Sequence, residues 1–401
     1  MLLAVAVFVA ACGSSPSSTT NSARPSTHAW PSLAQATDCA TAFASAWMRC
    51  LVKAHPAFAD IPLSYVALPG AENAGTFNLD PQAFDTQAGS ACTTLDAGVS
   101  LNGAKVERFS ATQDQTVARQ LDGGVRWIDL QVGYNGGGNP IAGWRVVQNL
   151  YSSWPLSEYL DQVANWASQH PSEAVVIDLS TICYDHHPTA AVDKGLWANF
   201  ATKSVEGGGP KTIADVAARP SSFGNSLATA TLGELTRAGH NVVVLIPSSA
   251  KDWPTLPGTY HVDPVRAAAP GHVTSGTTEV EHSDPRVVPI TATQFPTANS
   301  DLRTFPTAAD PPLGSLHGKG IYVSKLAYEL NGASASQQTA VMASFLGLIA
   351  RLGIFRAWMS GLWSGAYGEI LAEWGAATNV VLADGVDLGG FVPPVIQLNG
   401  R

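Results

Sequence analysis

The sequence predicts an α/β fold, a TIM-type (β/α) barrel that is irregular or incomplete and carries a long insertion. Short β-branched or aliphatic runs alternate with segments of helical spacing along most of the chain, which is typical of a parallel sheet covered by helices. A doubly wound open sheet is the alternative. The absence of a G-x-G-x-x-G motif after the first predicted strand disfavours that alternative.

Seven strands are predicted, one fewer than the eight of a closed barrel. They lie at residues 64–68, 126–132, 145–148, 174–179, 241–246, 320–326 and 379–383. Helical spacing of apolar residues predicts helices at 156–168 and 337–352. Residues 250–318 are rich in Pro, Thr and His and lack periodicity, which predicts a loop-rich insertion over one face of the barrel.

The composition indicates a large folded domain. The chain has 401 residues, of which 45% are hydrophobic and 13% are charged, so it buries a sizeable core. Its 22 basic residues face 31 acidic ones, giving a net charge of -9, and no basic block occurs. This charge balance argues against binding to nucleic acid and against strong electrostatic attraction to anionic lipids.

The N-terminal residues are interpreted as an export signal and a tether. Residues 2–11 form an apolar run that is too short to span a bilayer and has the length of a signal-peptide core. The following V-A-A-C-G, residues 9–13, resembles a bacterial lipobox, in which Cys12 would be acylated. Residues 13–36 are rich in Ser, Thr and Pro and predict a flexible linker to a domain at 37–401. We therefore expect a lipid-anchored protein on the extracytoplasmic face of the membrane, the alternative being a secreted soluble protein.

Four further cysteines predict two disulfides in an exported chain: Cys39, Cys50, Cys92 and Cys183. Three pairings are possible. If residues 38–54 formed one continuous helix, Cys39 and Cys50 would lie about 16 Å apart, too far to bond. The helix length is open at this point, and so is the pairing. A zinc site is the competing interpretation, and it lacks a C-x-x-C motif.

One segment carries a strong family resemblance. Residues 68–76, L-P-G-A-E-N-A-G-T, resemble the L-P-G-S/T-H-D/N-A/S-G-T turn that opens the X domain of phosphatidylinositol-specific phospholipases C. Residues 113–114 and 120–131, Q-D and Q-L-D-G-G-V-R-W-I-D-L-Q, are similar to the family's next strand segment. Residues 146–149, V-V-Q-N, stand where the family has V-x-H-G.

The resemblance continues at H-P-S-E-A-V-V-I-D-L, residues 170–179, which is similar to the family's fourth strand. N-V-V-L-A-D at 379–384 and V-I-Q-L-N at 395–399 resemble its closing motifs. Together these motifs cover about residues 47–190 and 379–399. The resemblance implies a barrel of the phospholipase type.

The resemblance also implies a catalytic His, an Arg and a second His, and this chain replaces all three. Glu72 stands at the position of the first His, the general base, and Gln131 stands at the position of the Arg that stabilises the phosphate charge. Gln148 stands at the position of the second His, which protonates the leaving group. A Gln does not titrate and carries no positive charge. We therefore expect a degenerate phosphodiesterase that retains a polar pocket for an inositol, sugar or phospholipid headgroup.

Further polar residues at predicted strand ends complete the expected pocket, because the loops at the carboxyl ends of barrel strands form the active sites of such folds. These residues are Asn73, Asp129, Asp178, Ser180 and Asp384. No cofactor is expected under the degenerate hypothesis.

Two alternative functions stay open. Calcium-dependent members of the family have an Asn and an acidic residue where this chain has Asn73 and Asp129, so one alternative is an active diester hydrolase assisted by Ca²⁺. The other alternative is a surface interaction module without a small ligand.

Overall fold

A parallel sheet forms the centre of the fold in a computed structural model. The structure describes residues 30–85, 92, 102–136, 139–179, 182–183, 190–201, 203, 211–218, 230–237, 239–247, 259–262, 323–326, 380–383, 385–387 and 390–400. The predicted export signal, most of the linker, most of residues 250–318 and the predicted helix at 337–352 lie outside these residues.

The strands in this part of the chain are β1 (Leu68–Ala71), β2 (Leu79–Phe84), β3 (Trp127–Asp129), β4 (Val132–Tyr134), β5 (Trp144–Gln148), β6 (Leu150–Pro155), β7 (Val175–Asp178), β8 (Ile182–Cys183), β9 (Val242–Pro247), β10 (Thr259–Val262), β11 (Val323–Leu326) and β12 (Val380–Ala383). The helices are α1 (Leu33–Ala42), α2 (Trp47–Ala54), α3 (Gly103–Ser110), α4 (Val117–Asp122), α5 (Leu156–Gln169), α6 (Ala190–Ala201), α7 (Ile213–Val216), α8 (Leu232–Arg237) and α9 (Val392–Gln397). No helix in the described ranges is long and apolar enough to cross a membrane.

The central sheet has seven parallel strands in the order β10-β9-β7-β3-β1-β12-β11. From β1 through β3, β7 and β9 to β10, each strand pairs with the next barrel strand in the sequence. On the other side of β1, the last strand, β12, pairs with β1, and β11 pairs with β12. This circular order is that of a barrel, whereas in a doubly wound sheet the second half of the chain would proceed outward from β1. No pairing joins β10 to β11 among the described residues, so the prediction of an irregular or incomplete barrel is confirmed.

A second sheet lies beside the barrel, in the order β2-β6-β5-β4-β8. Its pairs are antiparallel except for β4 with β8. The predicted strand at 145–148 exists as β5, but its assignment to the barrel is wrong. Along β5, Arg145 and Gln148 are half-buried between fully buried residues, the pattern of a strand with one face on a core.

Two other strands depart from the prediction. The seventh barrel strand is β10, within the region that was expected to be a loop-rich insertion. Its sequence T-Y-H-V is short and follows a Pro-rich stretch, so it gave no strand pattern. The first strand lies at Leu68–Ala71, and a 3-10 turn at Leu63–Tyr65 occupies the start of the predicted range 64–68. Pro69 and Gly70 have low strand propensity, so the sequence pattern did not predict β1 at this position.

Both predicted disulfides form, which settles the pairing. The helical stretch breaks at Phe43 and continues through a 3-10 turn into α2, so the chain reverses. Cys39 and Cys50 consequently lie 5.5 Å apart at their Cα atoms and are bonded. Cys92 and Cys183 form the second bond with a Cα separation of 5.8 Å. Both separations are in the normal disulfide range.

A buried ion pair braces the amino ends of the barrel strands. Arg126, directly before β3, is fully buried and donates from Nε and Nη2 to Oε2 of Glu173 at 3.1 and 2.8 Å. The carboxylate also accepts the backbone N–H groups of Met48 and Arg49 at the start of α2. Burial lowers the pKa of Arg126, and the attraction of Glu173 opposes that shift.

The remaining guanidinium donors of Arg126 are satisfied by backbone. Nη1 donates to the carbonyls of Leu121 and Val125, and Nη2 donates to the carbonyl of Ser45 at 2.9 Å. The ring of Trp166 lies 4.5 Å from the guanidinium carbon, as in a cation–π contact. The guanidinium therefore connects α4, β3 and the segment before α2.

Glu173→Ala should destabilise the fold severely, because it leaves Arg126 charged and buried and frees two backbone N–H groups. We expect a loss of about 3–5 kcal/mol in the free energy of unfolding. Urea denaturation of both variants measures the difference. Glu234→Ala is the matched control, since Glu234 accepts only from Thr231 at the start of α8 and should cost about 1 kcal/mol. Equal losses in the two variants would contradict a bracing role for the ion pair.

Candidate functional site

The carboxyl ends of three neighbouring barrel strands bring acidic residues together. Glu72 follows β1, Asp129 ends β3 and Asp178 ends β7. All three are buried, with exposed fractions of 4%, 4% and 1%. Ser180 and Asp384, which were also predicted for the pocket, lie outside the described residues.

Hydrogen bonds join these strand ends. The backbone N–H of Asn73 donates to Oδ2 of Asp129 at 3.0 Å, and the N–H of Ala74 donates to the carbonyl of Asp129 at 2.7 Å. The N–H of Leu130 donates to the carbonyl of Asp178 at 2.9 Å. The turn after β1 is therefore fixed against β3, and β3 is fixed against β7.

Gln113 clamps the fourth strand end to this group. It is buried, and its Nε2 donates to the carbonyls of Glu72 and Ala383 at 2.9 and 2.8 Å. Its Oε1 accepts the N–H of Val386 at 3.2 Å. Thr112, next to it, donates from Oγ1 to the same Glu72 carbonyl at 2.9 Å. Sequence reasoning gave Gln113 no role, and its only signal was its place in the Q-D segment of the family resemblance.

The other two substituted positions lie on the second sheet, and we call Gln131 and Gln148 the amide wall. Gln131 precedes β4 and Gln148 ends β5. The N–H of Val147 donates to the carbonyl of Gln131 at 3.0 Å, so the two residues lie on paired segments. A Cβ at Gly75 would lie 2.7 Å from Cγ2 of Val146, which shows that the turn after β1 packs against β5.

Three amides of the site have buried oxygens that accept no hydrogen bond from the described residues. They are Oδ1 of Asn73, Oε1 of Gln131 and Oε1 of Gln148. A buried polar atom without a partner costs about 1–3 kcal/mol. The site is therefore suited to a ligand that brings hydrogen-bonding groups.

Two residues with left-handed backbone mark the site. Asn73 has φ 47° and Asn149 has φ 59°, and no other non-glycine residue in the described ranges has a positive φ. Each directly follows one of the positions where the family has a catalytic His. Asn is the residue type other than Gly that tolerates this conformation best, and Asn149 stands where the family motif V-x-H-G has Gly. Asn149 thus adopts here a backbone conformation that Gly adopts without strain.

Tyr159 lies behind the turn after β1. A Cβ at Gly75 would lie 3.1 Å from its ring, and Phe77 and Trp154 pack against it with ring centroids 5.6 and 5.9 Å away. Burial raises the pKa of Tyr159, so the phenol is protonated at neutral pH. The back of the site is thus aromatic.

No group of three or more His, Cys, Asp and Glu residues that could hold a metal ion occurs in the part of the chain that the structure describes. Asp129 already uses Oδ2 to accept from Asn73, and Asp384 is not among the described residues. Calcium binding at Asn73 and Asp129 stays a prediction.

Comparison with known proteins gives relatives for about a third of the chain. Over 133 residues the chain is 29% identical to PI-PLC X domain-containing protein 1 of Mus musculus and 27% identical to the protein of the same name in Homo sapiens, which is 33% of this chain in each case. The Danio rerio protein is 29% identical over 123 residues. The matches span 37–40% of the length of these relatives. No protein-family model matches the chain.

Solved structures show the same fold over most of the chain. A structure of the phosphatidylinositol-specific phospholipase C of Staphylococcus aureus covers 90% of this chain and 98% of its own, with a TM-score of 0.50 and 15% identity. A second structure of that phospholipase also has a TM-score of 0.50, at 13% identity. The chain is therefore PI-PLC X-domain-like, with the fold of the bacterial phospholipases.

Gln113→Leu should loosen the strand ends, because it removes two hydrogen bonds to the carbonyls of Glu72 and Ala383 and leaves the N–H of Val386 without its partner. We expect a loss of about 3 kcal/mol in the free energy of unfolding. Thermal and urea denaturation measure it. Gln169→Leu, at the exposed end of α5, is the matched control and should stay within about 0.5 kcal/mol of wild type. A similar small change for Gln113→Leu would show that the clamp contributes little.

Asn149→Gly and Asn149→Ala should separate the backbone from the side chain at the turn after Gln148. Both lose the bond from Nδ2 to Oγ of Ser110, while only Ala resists the left-handed conformation. We expect Ala to be less stable than Gly by about 1–2 kcal/mol in urea denaturation. If Ala were as stable as Gly, the turn would not depend on left-handed backbone at this position.

Proposed function

We propose that this PI-PLC X-domain-like protein binds a hydroxyl-rich headgroup, an inositol or sugar of a lipid, and does not cleave phosphodiesters by the family's His–Arg–His mechanism. The observation that carries the proposal is the set of buried amide oxygens of Asn73, Gln131 and Gln148, which have no partner among the described residues. They lie at the positions, or directly beside the positions, where the resemblance places the catalytic groups.

The proton chemistry of that mechanism lacks its groups. Gln148 has no proton to give at ordinary pH, and Gln131 brings no positive charge to a phosphate in the transition state. Glu72 is a carboxylate that would repel the anionic diester. Positioned acids and bases are each worth about 10² to 10⁴ in rate, so replacing both of them and the cation removes most of the acceleration.

The same residues suit neutral ligands. A hydroxyl group donates to an amide oxygen and also accepts from an amide nitrogen, whereas a phosphate diester has only acceptor atoms. Glu72, Asp129 and Asp178 add further oxygen acceptors at the neighbouring strand ends. The hydrogen-bonding groups of the site therefore favour a polyol over a bare phosphate.

We also propose that the domain is exported and held at the membrane through Cys12, with the part of residues 13–36 that precedes α1 as the tether. Residues 33–36, predicted as the end of that linker, belong to α1, and Ala36 is buried in the core. The support is the apolar run followed by the lipobox-like V-A-A-C-G and the two disulfides of the folded domain. An oxidising compartment is where such disulfides form and persist. A lipid anchor would keep the site close to headgroups of the same membrane.

Calorimetric titration with myo-inositol and turnover of phosphatidylinositol vesicles, each with and without Ca²⁺, test the proposed function. We expect binding of inositol without turnover. Gln131→Ala and Gln148→Ala should each weaken binding about tenfold, the value of one hydrogen bond. Gln169→Ala, on the exposed end of α5, is the control and should bind as wild type does.

Two results would contradict the proposed function. Turnover of phosphatidylinositol that is abolished by Glu72→Ala and by Gln148→Ala would show a working enzyme, and its dependence on Ca²⁺ would identify the metal-assisted alternative. An absence of inositol binding to the wild-type protein would contradict the proposal that the site binds a hydroxyl-rich headgroup. The triple variant Glu72→His, Gln131→Arg, Gln148→His adds a positive result, because restored turnover would show that only these side chains were lost.

A further inference from the structure

The two walls of the candidate site are held by different means. Glu72, Asp129 and Asp178 follow barrel strands that are paired on both sides. The amide wall belongs to the second sheet, where β8 is an edge strand of two residues that pairs only with β4. The barrel pairing alone therefore does not fix the amide wall.

The Cys92–Cys183 disulfide touches the second sheet on both sides of the amide wall. Cys183 lies in β8, opposite Gly133 of β4, two residues after Gln131. The carbonyl of Cys92 accepts the N–H of Asn149 at 3.0 Å, directly after Gln148. One covalent bond thus connects the strand that follows Gln131 with the turn that follows Gln148.

The disulfide is also packed against the strands between these contacts. Cys92 and Cys183 are buried and form a small apolar cluster with Val147 and Tyr151, a cross-strand pair of β5 and β6. This cluster is separate from the main core of the barrel. A Cβ at Gly133 would lie 3.1 Å from the carbonyl oxygen of Cys183 and equally close to the side chains of Val147 and Tyr151. The cluster is therefore close-packed around the bond.

We propose that the Cys92–Cys183 disulfide is a positioning element of the candidate site, which holds the strand after Gln131 and the turn after Gln148 in one arrangement. The Cys39–Cys50 disulfide has no such role, because it joins α1 to α2 and lies in the main core cluster. The bearing of the proposal on ligand binding rests on the proposed function. The placement of the amide wall does not depend on any ligand.

Hydrogen exchange of single backbone amides in the full chain tests the proposal. In Cys92→Ala/Cys183→Ala we expect the N–H groups of Val147 and Asn149 to exchange at least about tenfold faster than in wild type. The N–H groups of Leu130 and Val176, which bond across barrel strands, should change by less than about threefold. Loss of either disulfide also frees the unfolded chain, so the location of the change is the decisive readout.

The matched control is Cys39→Ala/Cys50→Ala, in which Val147 and Asn149 should stay protected. If the variant without Cys92 and Cys183 does not fold, a phosphine reductant applied to the folded wild-type protein gives the same comparison, with the opened disulfide identified by alkylation and peptide mass. Unchanged protection at Val147 and Asn149, or an equal loss at Leu130 and Val176, would overturn the proposal.

Titration with myo-inositol then measures whether the position of the amide wall affects ligand affinity. We expect the variant without Cys92 and Cys183 to bind at least about tenfold more weakly than wild type, and the control to bind within about threefold of it. Absence of binding in the oxidised wild-type protein would contradict the proposed function and leave the exchange comparison to decide the positioning role. Equal affinity in both variants would show that the disulfide does not position ligand-binding groups.

Discussion

The first barrel strand pairs in parallel with the last, and the candidate site depends on this pairing. Four residues of β1 are in register with four of β12, from Leu68 opposite Val380 to Ala71 opposite Ala383. The close approach requires Gly70, because a Cβ there would overlap the side chain of Leu382. The pairing joins two ends of the chain that are far apart in sequence, and Gln113 fixes the junction where both strands end. Glu72 is placed at the mouth as a consequence.

The buried ion pair and the candidate site lie at opposite ends of the same barrel strands. Arg126 and Glu173 brace the amino ends of β3 and β7, where every guanidinium donor has a partner. At the carboxyl ends of the same strands, Asp129 and Asp178 are buried beside amides without partners. The charge cluster at the amino ends is hydrogen-bonded at every guanidinium donor, whereas the carboxyl ends have buried amide oxygens without a partner among the described residues. This division matches the general arrangement of barrel enzymes.

The barrel could be predicted from sequence because its central strands are buried on both sides. Val175–Asp178 and Val380–Ala383 are continuous runs of buried residues, and such runs are visible without an alignment. The number of barrel strands agreed only because two errors cancelled: β5 was counted and β10 was not. Periodicity describes which residues are buried and contains no information on which sheet buries them.

Contacts between distant residues explain what sequence reasoning did not find. Gln113 gave no pattern of its own, because its partners Glu72, Ala383 and Val386 are identified only once the barrel closes. The pairing of Cys39 with Cys50 depended on a helix break at Phe43, which no Pro or Gly marks. By contrast, the structure places Glu72 directly after β1 and Asp129 at the end of β3.

The backbone of the site constrains its function more than the three substitutions alone suggest. Left-handed turns at Asn73 and Asn149 cost energy in a non-glycine residue, and they directly follow Glu72 and Gln148. These turns, the hydrogen bonds of Gln113 and the buried Cys92–Cys183 disulfide fix the backbone around the site. Under the proposed function, this fixed backbone places the groups that hold a neutral ligand. Under the proposed function, the amides of Asn73, Gln131 and Gln148 supply the directional contacts that hydroxyl groups need.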